Sequence, residues 1–266
     1  MISKNLTSNR LFGKELIRSL LPKRISRHRI LGGPLKGRMI YTSWHDYPRA
    51  ILGWAETDLV KWLMDNVQPG ETWLDVGAYH GYTAIAMSNS VGKSGRVFAF
   101  EPDLTAASAL YQTKLANGLS QIVILPFALG ENHSIKFLQG STFRGMFQTE
   151  QGFSPENTST SQFVTTALDY IWESIADKNL NISGVKLDVQ GFEISVLRGM
   201  KMLLKTHRPK LIVEVHKGVD REELLQTLEE CGYSRKAIPI EPMPDENNAM
   251  FYDDRNYEFF GQPENS

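Results

Sequence analysis

The 266-residue sequence predicts an α/β fold in which helices cover both faces of a mainly parallel sheet. Three observations carry that prediction. From Thr72 onward, short β-forming runs alternate with stretches of helical period, as βαβ units require. The strand cores VFAF, IVIL, VKLDV and LIVEV are nearly all apolar, which suits strands buried on both faces. Ionisable residues gather at the strand ends, Asp75, Glu101, Asp188, Glu214 and His216, where open parallel sheets bind ligands.

The elements follow in order. The stretch NRLFGKELIRSLLPK reads as a basic amphipathic helix, with Phe12, Leu16 and Leu20 on one face and Arg10, Lys14 and Arg18 elsewhere, stopped by Pro22. LGGPLKGRMI reads as a short hairpin around Gly37, and a helix follows from Glu56 to Asn66, closed by QPG. Residues 1–70 thus form an N-terminal helical and hairpin extension, and 71–266 the α/β domain. In the domain, strand Thr72–Val76, helix Gly81–Ser90, strand Arg96–Glu101, helix Leu104–Ala116 and strand Gln121–Leu125 make two successive units. A short strand at Ile135–Leu138 precedes a long polar stretch, Gln139 to Gln162, which reads as a loop. Strand Gly184–Val189, helix Phe192–Leu204, strand Lys210–His216 and helix Asp220–Cys231 resume the alternation. Strands near Lys236–Ile240 and Ala249–Asp253 close the chain.

Composition bounds the function. With 41% hydrophobic and 22% charged residues the chain can bury a sizeable core. Cys231 is the single cysteine and reads as a small buried hydrophobe at a helix end; with no leader segment evident, this suits a reducing cytoplasm. No apolar run reaches the roughly 20 residues of a bilayer span. Residues 1–40 carry ten Lys and Arg against Glu15 alone, so the net charge of −1 hides an acidic body, which argues against nucleic acid as partner. The basic helix either packs on the chain or a partner subunit, or rests peripherally on anionic lipid; an Arg-rich start also suits a transit peptide.

The turn WLDVGAYHGYT selects among nucleotides. A dinucleotide site wants G-x-G-x-x-G, but no alignment of that pattern succeeds here, and Asp75 would repel a diphosphate. A cationic adenosyl ligand such as S-adenosylmethionine is instead attracted. Glu101, 24 positions beyond Gly77, is placed to accept hydrogen bonds from ribose hydroxyls. Gly92, Lys93 and Ser94 are not a P-loop, because Met87 replaces the first glycine and a strand follows.

The ordered runs LDVGAYHGYTA, VFAFEPD, TTALDYI, VKLDVQGFEISVLRGM and RPKLIVEVH, together with GPLKG, resemble the FkbM family of S-adenosylmethionine-dependent methyltransferases over roughly Gly32 to His216. The resemblance implies a Rossmann-like class I methyltransferase fold and methylation of a hydroxyl on a sugar, glycolipid or natural-product acceptor. The cofactor-binding residues expected are Asp75, Gly77, Ala78, Tyr79, Gly81, Glu101, Pro102 and Ala128. Two positions depart from the family, which commonly has asparagine where this chain has Tyr79 and glutamate where it has Gln190.

Methyl transfer to oxygen needs an aligned nucleophile and a base. The candidates are Asp188, His216 and Glu214; Asp188 and Glu214, ending adjacent strands, could orient His216, act as base or hold a divalent metal. Strand alternation puts Lys186, Asp188 and Gln190 on one face, with Lys186 as a neutralising neighbour. Glu193 fits a helix first turn for its dipole alone. Asp169 reads as a cap or structural pair, His80 as a partly exposed turn residue, and Asn117 as a helix stop. Tyr41, Trp44, Tyr47 and Trp54 read as packing of the extension, with a sugar-stacking wall as the alternative. Two other functions fit the pattern less well. A nucleic-acid amine methyltransferase would carry an Asn/Asp-Pro-Pro-aromatic turn where this chain has LDVQG; a non-catalytic adenosyl-binding relative would keep the fold alone.

Overall fold

The computed structural model describes residues 18–139, 149–150, 160–241 and 252–262. Its strands are β1 (Ser26–Arg29), β2 (Met39–Thr42), β3 (Thr72–Val76), β4 (Arg96–Phe100), β5 (Ile122–Leu125), β6 (Ala128–Leu129), β7 (Ser134–Gln139), β8 (Thr149–Glu150), β9 (Thr160–Thr166), β10 (Gly184–Leu187), β11 (Lys210–Val215), β12 (Tyr233–Pro239) and β13 (Arg255–Gly261). The helices are α1 (Pro48–Leu52), α2 (Thr57–Asn66), α3 (Tyr82–Val91), α4 (Leu104–Asn117), α5 (Leu168–Ile175), α6 (Glu193–Gly199), α7 (Lys201–His207) and α8 (Arg221–Glu230).

Seven strands form the central sheet in the order β12-β13-β11-β10-β3-β4-β5. The five from β11 to β5 are parallel, and β13 runs antiparallel to both its neighbours. Strand order reverses between β3 and β10, so the crevice above their carboxyl ends is the place for a ligand. Period-two alternation divides the core. Leu74, Val76, Phe98, Phe100, Val185 and Leu187 face one apolar layer, and Trp73, Val97 and Ala99 face the other. Asp75 and Lys186 are register partners on β3 and β10, on the Trp73 side.

The extension shares that second layer. Ile30, Leu35, Ile40 and Ala50 pack in one cluster with Tyr82, Ile85 and Met87 of α3. Asn117 does more than end α4. Its Oδ1 accepts from the Met39 amide at 2.9 Å and its Nδ2 donates to the Met39 and Thr113 carbonyls at 2.7 Å each, clamping the hairpin to the helix.

Three expectations are corrected, and one helix is added. The helix expected over Phe192–Leu204 is two helices, α6 and α7, joined at Met200, where φ is −125°. Asp169 stabilises this break, since its carboxylate accepts from the amides of Met202 and Leu203 in the first turn of α7. The polar stretch 139–162 is not all loop: β9 begins at Thr160 and pairs antiparallel with β7, while 140–148 and 151–159 lie outside the described residues. The last strand is Arg255–Gly261 rather than Ala249–Asp253; 249–251 lie outside the described residues. The segment Pro48–Leu52 is helical, begun by a proline that cannot donate but presets φ. Most of the basic N-terminal helix, 10–17, lies outside the described residues as well.

Among the described residues no helix is long and apolar enough to cross a membrane. Cys231 is buried at the end of α8, and burial raises its thiol pKa to about 11.

Asn117→Ala should lower the unfolding free energy by about 1–3 kcal/mol, because it strands backbone groups of the hairpin and α4. Urea unfolding checks this; a loss under about 0.5 kcal/mol, the range of a plain surface change, would contradict the clamp.

Candidate active site

The turn after β3 is built on a close approach of two backbones. The Gly77 and Ala78 amides both donate to the Phe100 carbonyl at 3.0 Å, which draws the turn over the end of β4. Gly77 has φ +82°, and a Cβ there would collide with the backbone oxygen of Asp188, so this position requires glycine. Gly81, also in the left-handed region, begins α3 where a Cβ would strike Leu110.

Tyr79 stands in the left-handed region too, at φ +47°, a conformation asparagine tolerates and tyrosine resists. Two contacts hold it. Its amide donates to Glu101 Oε2 at 2.8 Å, and its ring stacks on His80 at 3.7 Å with 15° between planes. His80 is not a partly exposed turn residue: it is 2% exposed, and its Nδ1 lies 2.7 Å from Thr42 Oγ1 of the hairpin. Burial lowers its pKa to about 4, so it stands neutral and ties the turn to the extension.

Above the strand ends lies a cavity of about 640 Å³. Of the expected cofactor-binding set, Gly77, Ala78, Tyr79, Glu101, Pro102 and Ala128 line it; Asp75 and Gly81 sit behind its wall. Glu101 Oε1 accepts from the Asp103 amide at 2.9 Å while Oε2 holds Tyr79, so each oxygen is oriented and keeps a lone pair for a ligand hydroxyl. Burial raises the Glu101 pKa to about 7 despite those two hydrogen bonds.

Asp75 is fully buried, and the structure shows why no ligand need reach it. Its Oδ2 accepts from Thr83 Oγ1 at 2.8 Å, and its Oδ1 lies 3.5 Å from the Lys186 ammonium. Lys186, 2% exposed, also donates to Asp188 Oδ2 and the Gly77 carbonyl, both at 3.2 Å. Burial alone would lower its pKa, but Asp188, Asp75, Glu56 and Glu214 outweigh burial and hold it above the usual lysine range. Asp188 answers in kind: burial would raise its pKa, yet Lys186 and then His216 bring it below the usual carboxylate range.

Asp188, Glu214 and Gln190 line the same cavity, and His216 lies directly behind them. His216 Nδ1 is 2.6 Å from Glu193 Oε1, and its Nε2 is 2.7 Å from Gln190 Nε2, 3.4 Å from Asp188 Oδ1 and 3.7 Å from Glu214 Oε1. Glu193 is therefore more than a helix-dipole residue; its Oε1 also accepts from the Gly191 amide at 3.0 Å. Burial lowers the His216 pKa, but the Glu193 hydrogen bond and the Asp188 charge exceed that effect and raise it. Burial, with repulsion from Asp188 and Glu56, pushes the Glu214 pKa well above the usual carboxylate range. Asp188, Glu214 and His216 offer ligand atoms within 4.8 Å of one another and could hold a metal ion.

One cavity residue was missed. Glu56, read as a helix start, lines the cavity with its backbone at φ +44°. Tyr47, read as packing with a sugar-stacking wall as the alternative, also lines it; the hydroxyl donates to Glu56 Oε1 at 2.5 Å and the ring packs on Tyr79 and Tyr82. Trp54 of the same aromatic group is 61% exposed and packs no core. The signal that could have found Glu56 is backbone strain, invisible in sequence. Among the described residues five non-glycine residues have positive φ, four of them (Glu56, Tyr79, Gln190 and Asp254) line this cavity, and such strain gathers at functional sites.

This strand order, with an antiparallel seventh strand and a glycine turn facing an acidic strand end, defines a class I methyltransferase architecture. The methyltransferase FkbM domain model matches residues 75–235, more than half of the sequence, and the chain belongs to that family. The hexuronic acid methyltransferase AglP of Haloferax volcanii is 27% identical over 187 residues, covering 70% of this chain and 73% of AglP. The crystal structure of methyltransferase FkbM from Methylobacillus flagellatus KT aligns over 76% of this chain with 19% identity and a TM-score of 0.48; this chain covers 50% of that one. Aeropyrum pernix fibrillarin with natively bound S-adenosyl-L-methionine aligns over 89% of this chain and 87% of its own, with 13% identity and a TM-score of 0.49.

The pKa of Glu101 sets a pH dependence of stability. Because the folded value, about 7, exceeds the ordinary 4.5, the folded state binds the extra proton between those values. The stability contributed is complete below the unfolded pKa and lost as pH rises through the folded one. Relative to Glu101→Gln, the wild type should lose roughly 3 kcal/mol between pH 4 and 8. Urea unfolding across that range checks it; parallel curves for the two proteins would contradict it.

Proposed function

We propose that this chain is an S-adenosylmethionine-dependent O-methyltransferase acting on a hydroxyl of a sugar or sugar-containing acceptor. The observation that carries the reading is one cavity with two chemistries: a ribose-ready carboxylate at Glu101, and Asp188 and Glu214 at the ends of β10 and β11 with His216 behind them. The similarity to a hexuronic acid methyltransferase supports a sugar acceptor.

S-adenosylmethionine brings an electrophilic methyl on a sulfonium sulfur. The chain's residues fit that ligand: Glu101 receives the ribose hydroxyls, the Gly77–Tyr79 turn lies close enough for backbone contact, and the acidic surroundings of Lys186 favour a cation. Asp188 and Glu214 face the acceptor. With its Nδ1–H held by Glu193, His216 directs the Nε2 lone pair toward them, and Glu193 stabilises the imidazolium once the hydroxyl proton arrives. Gln190 Nε2 lies 2.7 Å from that nitrogen, so this amide must move before His216 can take the proton.

Asp188→Asn and His216→Gln should each lower kcat by about 10²–10⁴-fold, with affinity for S-adenosylhomocysteine little changed. Transfer of labelled methyl to uronic-acid-containing acceptors, with calorimetry of both adenosyl ligands, checks this. Folded wild type that binds neither ligand would sink the reading. Glu193→Gln removes the group that raises the His216 pKa, so the acid limb of the pH–rate profile should move to lower pH; an unmoved limb would exclude His216 as base.

The compact Asp188, Glu214 and His216 group favours a second reading, a divalent ion that lowers the hydroxyl pKa. Turnover lost on chelation and restored by magnesium or manganese selects it. Turnover indifferent to chelators selects the base.

A further inference from the structure

The cavity wall carries several carboxylates that the reaction above does not use, Asp46, Glu56, Asp103, Glu241 and Asp254, and among them Glu56 alone has a buried oxygen left unpartnered among the described residues. Glu56 enters α2 in the left-handed region, at φ +44°, and lines the cavity. Its Oε1 accepts from the Tyr47 hydroxyl at 2.5 Å, whereas its Oε2 is buried with no hydrogen-bond partner among the described residues. A buried carboxylate oxygen without a donor is costly, and where its residue lines a cavity, as Glu56 does and Asp75 and Glu193 do not, a ligand can supply the donor. The Tyr47 hydroxyl, itself buried, fixes which way the free oxygen turns.

Position identifies the donor. Glu101 and the Tyr79 amide form one group of interacting residues, and Glu56 belongs to another, with Lys186, Asp188 and Asp75. A ligand with its ribose on Glu101 that follows the Gly77–Tyr79 turn brings its amino-acid end toward β10 and Glu56. Arg49, on the same segment as Glu56, lines the cavity too, as do Arg18 and Asp46, so the extension offers both cations and carboxylates to a zwitterion. Burial now raises the Glu56 pKa, and an arriving cation would favour the ionised form.

We infer that Glu56 Oε2 receives the α-ammonium of S-adenosylmethionine, with Tyr47 as the residue that positions it. The inference rests on the cofactor reading above and names the residue from outside the glycine turn that recognises the cofactor's amino-acid end.

Calorimetry with two ligands tests it: S-adenosylhomocysteine, which has the ammonium, and 5′-methylthioadenosine, which has the same nucleoside but no amino-acid end. Glu56→Gln should weaken S-adenosylhomocysteine about tenfold or more, the scale of a lost charge-assisted hydrogen bond, and leave methylthioadenosine within about twofold. Tyr47→Phe should show the same selectivity at smaller size, and serves as the second variant if Glu56→Gln melts below the wild type. Equal weakening of both ligands, or weakening of neither, by both variants overturns the inference while leaving the cofactor reading in place. A wild type that binds neither ligand overturns both.

Discussion

The Lys186 ammonium, enclosed between Asp75 of β3 and Asp188 just beyond β10, is the interaction on which the rest of the site depends. Adjacent parallel strands place Lys186 beside Asp75, and period-two alternation carries Asp188 to the same face. Desolvating three charges costs several kcal/mol per ion, which only close pairing and further hydrogen bonds return. Thr83 supplies one such bond to Asp75, and the Gly77 carbonyl and Gln190 amide supply others. Because Lys186 grips Gly77 O and Asp188 together, it fixes the glycine turn relative to the end of β10.

From that clamp the local chemistry divides. The Asp188 pKa is held below the usual carboxylate range, that of Glu214 beside it is pushed well up, and His216 is held by Glu193 on its far nitrogen. Two neighbouring carboxyls thus shift in opposite directions because their surroundings differ. The turn obeys a second constraint. Tyr79 is strained, but its ring lies between His80 and Tyr47, and His80 is anchored to Thr42. The N-terminal extension therefore helps build the cavity rather than merely preceding it.

Much of this was legible in the sequence. The strand cores and their turns announced the parallel sheet, since an apolar run between polar turns has few other uses. Asp188, Glu101 and Glu214 were readable as residues of the cavity wall because ligands of such sheets sit at strand ends. Asp75 was read as a cofactor-binding residue and not as buried, for only register with Lys186 reveals that pair. Glu56 was hidden, and Tyr47 readable only as a possible stacking ring, because they come from a segment whose path over the sheet is set by tertiary packing. The break at Met200 was hidden for a related reason: its cap, Asp169, is more than thirty residues away in the chain. Glu193 resembled any acidic residue at a helix start until His216 was seen beside it.

Equilibrium unfolding of Lys186→Met, with and without Asp75→Asn, tests the clamp most directly. The single variant leaves two buried carboxylates without their cation and should lose about 3–5 kcal/mol of stability at neutral pH. Adding Asp75→Asn should return part of that loss by removing one of the stranded charges. A Lys186→Met protein within about 1 kcal/mol of wild type would contradict the account, as no more than a surface pair would then have been broken.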